Sequence, residues 1–199
     1  VRIDLRNNNI FFHKVNIPSY PLFEYPPYEL ALTARIVEVV KKNRLDLLHV
    51  HYAIPHAYAA VNAQQILLTQ NISIPIVTTL HGTDITLIGK SPFVISAVNY
   101  AINKSSIVTC VSESLKRETL KYFHIEKDIE VIPNFIRFSE TNNYQKTRSR
   151  KKILTHISNF RPVKRVLDVI SIFKKINQKI ESQLFMIGEG PDLLKAKKW

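Results

Sequence analysis

The heptapeptide Thr78-Thr79-Leu80-His81-Gly82-Thr83-Asp84 places an imidazole and a carboxylate three residues apart, at the end of an apolar, β-branched run over residues 74–80. A buried parallel strand ends in this way at the lip of a sheet. In open α/β sheets, ligands bind beyond the carboxyl ends of the strands. His81 and Asp84 therefore stand where a small polar ligand would be met, and the small residues Gly82 and Thr83 would let it come close. The same seven residues also satisfy a plain βα loop with Asp84 as a helix N-cap.

A second group of imidazoles lies upstream in His49-Val50-His51-Tyr52-Ala53-Ile54-Pro55-His56. His49 and His51 are two apart on a predicted strand and face the same side. With His56 they suggest a metal site, but carboxylate or cysteine partners at ligand spacing are absent, and no metal is expected. Tyr52 falls at the carboxyl end of that strand, level with His81 in the next, so a phenol and an imidazole could contact one polar ligand.

A third stretch, Ser158-Asn159-Phe160-Arg161-Pro162-Val163-Lys164-Arg165, follows a predicted strand and precedes a predicted helix. Free N–H groups at a helix start favour phosphate, and Lys164 and Arg165 add countercharge. A solvated basic loop with Asn159 as a cap is the alternative. Gly188-Glu189-Gly190-Pro191 makes a second glycine turn on the same predicted edge.

These residues need elements to hold them. Residues 10–15 read as a strand, and residues 20–28, with Pro21, Pro26 and Pro27, as an extended loop. Pro27 can open a helix in which Leu30, Ala31, Ala34, Val37 and Val40 follow at helical spacing, ending at Lys41-Lys42-Asn43. Strands are predicted over 47–51, 74–80, 107–111 and 130–132, with helices over 55–69, 92–103 and from Ser112 to about Tyr122. The alternation, with connections too long for hairpins, is that of a doubly wound parallel sheet, an α/β fold. Residues 139–151 are polar and basic and read as a linker. A strand over 153–157, a helix over 163–176, a strand over 184–187 and a helix from Asp192 then restart the rhythm. The expected domains are residues 1–140, a linker at 141–151 and the beginning of a second domain at 152–199. Two βα units cannot bury both faces of a parallel sheet, so the chain is expected to be a fragment of a longer two-domain protein, incomplete at both ends. By itself it is expected to be inactive and prone to aggregate.

The 199 residues carry a net charge of +12. Residues 1–140 hold 14 Lys and Arg against 12 Asp and Glu, whereas residues 141–199 hold 14 against 4. The asymmetry fits an anionic ligand or nucleic acid. No apolar run is long enough to span a membrane, and the opening Val1-Arg2-Ile3-Asp4-Leu5-Arg6 lacks the apolar region of a signal peptide. The single cysteine, Cys110, lies in the apolar run 107–111 and reads as core, consistent with a reducing cytoplasm.

The combination of a histidine at a strand end, a basic loop after the first strand of the second domain and the sequence Gly188-Glu189-Gly190-Pro191 resembles the family 4 glycosyltransferases of GT-B fold. Residues 49–57, 78–86, 131–136 and 156–165 are similar to the members that act in bacillithiol biosynthesis. The resemblance implies two Rossmann-like domains, the first on the acceptor side and the second binding the nucleotide sugar. It implies retaining transfer of N-acetylglucosamine from UDP-GlcNAc to the hydroxyl of L-malate, with no metal or cofactor. It further implies that His81 lies near the reacting sugar, that Asn159, Arg161, Lys164, Gly188, Glu189 and Gly190 line the donor side, and that Tyr52 and Thr79 face the acceptor. Related enzymes carry an arginine for the acceptor's anion where Asn99 stands here. The family's glycine loop would precede Val1, and its paired glutamates would follow Trp199. A homo-oligomer is compatible with all of this.

Two other readings compete. A UDP-sugar epimerase of the same fold would need acid/base carboxylates, and Asp84 is the one obvious candidate. A nucleic-acid-binding module would use the basic residues 146–165 with aromatics interleaved, but only Tyr144 and Phe160 are near.

Overall fold

The computed structural model describes residues 9–17, 24, 26–88, 91–136 and 151–198. The chain falls into two compact units, Val1–Arg137 and Phe138–Trp199. Apart from Lys151, the expected linker lies outside the described residues, as does most of the proline-rich loop before Pro26.

In the first unit, four strands form one parallel sheet in the order β1 (Leu48–His51), β2 (Ile76–Leu80), β3 (Ile107–Cys110) and β4 (Ile129–Val131). The helices are α1 (Tyr28–Asn43), α2 (Tyr58–Leu68), α3 (Ile95–Lys104) and α4 (Glu113–Tyr122). Pro27 caps α1, Lys41 and Lys42 occupy its last turn, and Arg44 ends it in the left-handed conformation, φ 52°. Ser112 caps α4 by accepting a hydrogen bond from the Leu115 N–H at 3.2 Å. The predicted helix over 55–69 is in two parts, because residues Ala53–Ala57 form a wide turn before α2 begins.

Strand order equals chain order, so every crossover steps the same way across the sheet. Right-handed crossovers then deliver their helices to one face. Leu48, Val50 and Ile76 pack there with Val40 of α1 and Val61 and Leu67 of α2. Leu80, Val108, Cys110 and Ile129 pack with Val98 and Ile102 of α3 and Leu115 of α4. Each fully buried aliphatic side chain of this kind stabilises the fold by about 1.5–3 kcal/mol. The alternate residues, His49, His51, Val77, Thr79 and Thr109, point to the other face. There β1 and β2 set His51 opposite Thr79, and β2 and β3 set Thr79 opposite Thr109.

The predicted strand over 10–15 does not form: residues 10–17 make no ladder. Ile10, Phe11 and Phe12 are 46%, 77% and 64% exposed. Apolar and β-forming residue types alone do not make a strand; a hydrogen-bonded neighbour does, and among the described residues only β2 pairs with β1.

The second unit has two parallel strands, β5 (Lys152–Ile157) and β6 (Ser182–Ile187), linked by α5 (Val166–Asn177) and followed by α6 (Leu193–Lys197). A single 3-10 turn, Pro162–Lys164, precedes α5. Val166 and Ile170 are the buried positions of α5, one turn apart on one face.

Candidate functional site

The carboxyl ends of β1 and β2 carry four imidazoles and a phenol. His51 Nδ1 and His81 Nε2 are 2.8 Å apart. The His49 and His51 rings lie 4.7 Å apart, the His51 and His81 rings 5.0 Å, and the Tyr52 and His81 rings 4.9 Å. The predicted meeting of Tyr52 with His81 is thus present, and His51 joins it. Tyr52 leaves β1 at φ 79°, a conformation that non-glycine residues rarely adopt, while its N–H remains on the ladder, bonded to the Thr79 carbonyl at 2.9 Å.

The hydrogen bonds fix much of the proton placement. His56 Nδ1 lies 2.7 Å from the His51 carbonyl, which can only accept, so Nδ1 of His56 is protonated. Its Nε2 then faces the Tyr28 hydroxyl at 3.4 Å. Between His51 and His81 one nitrogen must donate and the other accept, so two fully protonated rings cannot keep this bond. His51 is held below the ordinary imidazole range, first by partial burial and then by its neighbours His49, His81 and His56. The bond to His51 uses His81 Nε2 and leaves its Nδ1 outside the pair.

Thr79 is 9% exposed and its hydroxyl lies 2.8 Å from His49 Nε2 and 2.7 Å from Thr109 Oγ1. Together with His51, His81 and residues Ile132–Phe135 these side chains line a cavity of about 260 Å³. Among the described residues, no group of three or more histidine, cysteine, aspartate or glutamate side chains is arranged to hold a metal ion.

Asp84 is 2% exposed. Its Oδ2 accepts the Ala53 N–H at 2.8 Å, and its Oδ1 accepts the N–H groups of Gly82 at 2.9 Å and His81 at 3.3 Å. A carboxylate so engaged has little capacity left as an acid or base for substrate, and the epimerase reading loses its one carboxylate. Gly82 has φ 117° and open space where a side chain would stand.

Asn99 is not brought to this cluster. It sits on α3, and its Oδ1 accepts the His124 N–H at 3.1 Å, while Asn103 one turn later bonds the His124 carbonyl and the Glu126 N–H. The two asparagines staple the segment between α4 and β4.

In the second unit, Asn159, Arg161 and Lys164 are exposed in the loop between β5 and α5. Arg161 precedes the 3-10 turn and Lys164 ends it, with the Lys164 N–H on the Arg161 carbonyl at 2.8 Å. The loop is braced from below. Ser158 Oγ accepts the Phe160 N–H at 3.2 Å and stands 2.8 Å from His156 Nε2, and Phe160, at φ 39°, is 1% exposed. Gly188 and Gly190 lie against this loop, with φ values of 132° and 153°. A Cβ on Gly188 would stand 1.8 Å from the Ser158 carbonyl oxygen, and one on Gly190 1.9 Å from that of Asn159. Glu189 between them is exposed. The loop with Asn159 and the glycine turn therefore form one surface. Thr109 and His156 are structural contributors that residue type and spacing do not single out.

Residues 3–140 match the profile of Glycosyltransferase Family 4. The chain belongs to that family. It is 44% identical over 192 residues to N-acetyl-alpha-D-glucosaminyl L-malate synthase of Bacillus anthracis, an alignment that covers 92% of this chain and 50% of the relative. It is 28% identical over 152 residues to TuaC of Bacillus subtilis strain 168, a glycosyltransferase named provisionally for teichuronic acid biosynthesis, covering 69% of this chain and 37% of that protein. The chain thus spans half or less of the length of these relatives. Among solved structures it is similar to Staphylococcus aureus TarM, a G117R variant in complex with Fondaparinux, alpha-GlcNAc-glycerol and UDP. The TM-score is 0.56 at 18% identity, covering 83% of this chain and 33% of that one. That likeness shows the fold, an α/β architecture of the GT-B glycosyltransferases.

Proposed function

We propose that the full-length protein is a retaining glycosyltransferase that moves N-acetylglucosamine from UDP-GlcNAc to the hydroxyl of L-malate, the first step of bacillithiol biosynthesis. The observation that carries this reading is the 44% identity, over 92% of the chain, to a relative named for that product. In this proposal residues 1–140 belong to the acceptor-side domain and residues 152–199 begin the nucleotide-sugar domain, joined by the linker 141–151.

The chemistry assigned to this chain's residues is electrostatic. Loss of the UDP group leaves negative charge on the diphosphate, and preorganised donors are worth most where charge develops. Lys164, Arg161 and Asn159 supply such donors from the loop before α5, with Glu189 and its flanking glycines on the nucleotide side. His81 donates through Nδ1 to a sugar hydroxyl when its Nε2 accepts from His51. Tyr52 lies beside His81 on the acceptor side, and Thr79 orients His49 there.

No described helix is long and apolar enough to cross a membrane, and the lone Cys110 is buried. We place the protein in the cytoplasm on that cysteine usage, and a homo-oligomer is part of the same proposal. A second reading, a family 4 enzyme with another small acceptor, is favoured by Asn99, which stands where an acceptor-binding arginine was expected and whose carbonyl is spent on His124.

The test is incubation of the full-length protein with UDP-GlcNAc and a panel of small hydroxy acids, with release of UDP and the anomeric configuration of the product followed by NMR. Formation of the α-linked malate glycoside is expected. Transfer to another acceptor in preference to malate selects the second reading, and no transfer from UDP-GlcNAc to any acceptor overturns both.

A further inference from the structure

We propose that Asp84 is a positioning residue that holds His81 and Tyr52 in register by tying the end of β1 to the end of β2. The proposal rests on the glycosyltransferase reading for its effect on rate, and on the hydrogen bonds alone for the tie itself. Ala53 and Asp84 are 31 residues apart in the chain, yet Oδ2 of the aspartate accepts the Ala53 N–H at 2.8 Å. Its other oxygen gathers the N–H groups of Gly82 and His81. One carboxylate thus satisfies three backbone donors, two following β2 and one following β1. Hydrogen bonds to an ionised acceptor are about twice as strong as neutral ones.

The two residues flanked by these bonds are the ones whose placement is demanding. Tyr52 immediately precedes Ala53 and sits at φ 79°, a backbone state that persists only where its surroundings over-determine it. His81 must keep its ring 4.9 Å from Tyr52 and its Nε2 2.8 Å from His51. The His81 N–H is itself one of the three donors, so the histidine's backbone is fixed directly by Asp84. Asp84 is 2% exposed, so bulk solvent does not compete for these bonds. An asparagine at 84 would have one carbonyl oxygen for two directions. Whichever strand end received that oxygen, the amide NH₂ would face N–H donors at the other.

The experiment uses the full-length protein with D84N, H81A and the double variant, read by steady-state kinetics, UDP affinity and NMR. For D84N we expect kcat to fall about 10- to 100-fold with UDP affinity within twofold of wild type, because the donor's nucleotide is held by other residues. In the H81A background D84N should cost clearly less than its 10- to 100-fold in the wild-type background, because the part that runs through His81 is already lost and only the part that runs through Tyr52 remains. Losses that multiply in the double variant would overturn the proposal in favour of an independent structural role. The tie has its own readouts, which do not need activity. In wild type the Ala53 and Gly82 amides should exchange with solvent slowly and through the same opening. In D84N the His81 and Tyr52 ring signals should shift, while those of Cys110 and its neighbours stay in place. A freely exchanging Ala53 amide in wild type refutes the tie even if D84N fails to fold. If the tie is present and wild type transfers no sugar, the enzyme reading has failed and the tie has not.

Discussion

His51 Nδ1 and His81 Nε2 meet at 2.8 Å across the ends of two adjacent parallel strands. The register that sets His51 opposite Thr79 puts His81 two residues further on, where the next side chain on the same face of the sheet emerges. One imidazole must offer a lone pair to the other, so the pair keeps its bond only while at least one ring is neutral.

That relationship predicts a pH dependence of stability. The His51 pKa is lowered from 6.5 in the folded protein, first by partial burial and then by His49, His81 and His56. His51 is flanked also by its chain neighbour Tyr52, and Tyr28 stands beyond the His56 ring. Below pH 6.5 the unfolded chain therefore binds a proton that the folded chain resists, and stability falls as pH falls through that window and recovers as pH rises above it. Melting temperatures measured from about pH 5 to 7.5 should rise with pH and then level. In His51→Asn the rise should be shallower. An unchanged slope in that variant would assign the dependence to other groups.

His81→Ala in the full-length protein should lower kcat by about 10²-fold or more, the scale of one positioned polar group. The side chain stands beyond the end of β2, so the melting temperature should stay near that of wild type. Full activity would remove His81 from the chemistry. Equal collapse of activity and melting temperature would make it a packing residue.

Much of this architecture was legible in the chain. The strand ends at His51 and at Leu80, the Ser112 cap and the basic close of α1 follow from local residue types, because caps and buried parallel strands are written in consecutive residues. Two kinds of feature were not legible. One is pairing at a distance: the sequence spacing shows Asp84 beside Gly82 but cannot show Ala53 reaching it from 31 residues away, nor that His51 rather than His49 faces His81. The other is the fate of a side chain whose helix position was easy to read. Asn99 lies in the predicted helix, yet its carbonyl serves the His124 N–H, a partner set by how α3 packs against the segment before β4. The strand expected over 10–15 failed for the same reason, since its residue types were right and the ladder was missing.

Lys164→Ala should weaken use of UDP-GlcNAc by about 1.5–3 kcal/mol in kcat/KM, the usual worth of a hydrogen bond to a charged group. The motive is its position at the end of the turn before α5, exposed and with an anionic donor proposed. Lys164→Arg keeps the charge but changes the geometry, and should recover part of the loss. Unchanged kinetics in Lys164→Ala would take this residue out of the donor site.

The thiol of Cys110 is buried, and its pKa is raised, chiefly by that burial. Its Sγ lies 3.3 Å from the Ser112 carbonyl. A neutral, enclosed thiol is a poor nucleophile. Thiol reagents should leave the folded protein unmodified at neutral pH and label it only on unfolding. Rapid labelling of the native state would show that the β3 end opens.

Gly190→Ala tests the surface that carries Asn159. The added Cβ would meet the Asn159 carbonyl oxygen at 1.9 Å, and the obstacle is backbone, which has no rotamer to change. The φ of 153° adds strain for any L side chain. Relief would require the glycine turn and the 158–160 loop to part, breaking the bond from the Asp192 N–H to the Phe160 carbonyl at 3.0 Å and loosening the buried Phe160 ring. Cost to stability should be about 2 kcal/mol or more, from strain and lost packing together. UDP affinity should fall with it, because Asn159 and Lys164 stand on the displaced loop. Gly82→Ala is the control: it has a comparable φ of 117° but open space around the new methyl, so it should bear only the backbone strain. Chemical denaturation of the full-length variants, each followed by a probe in the domain that carries the substitution, distinguishes the two. If Gly190→Ala proved no worse than Gly82→Ala, the close approach of the two loops would be wrong.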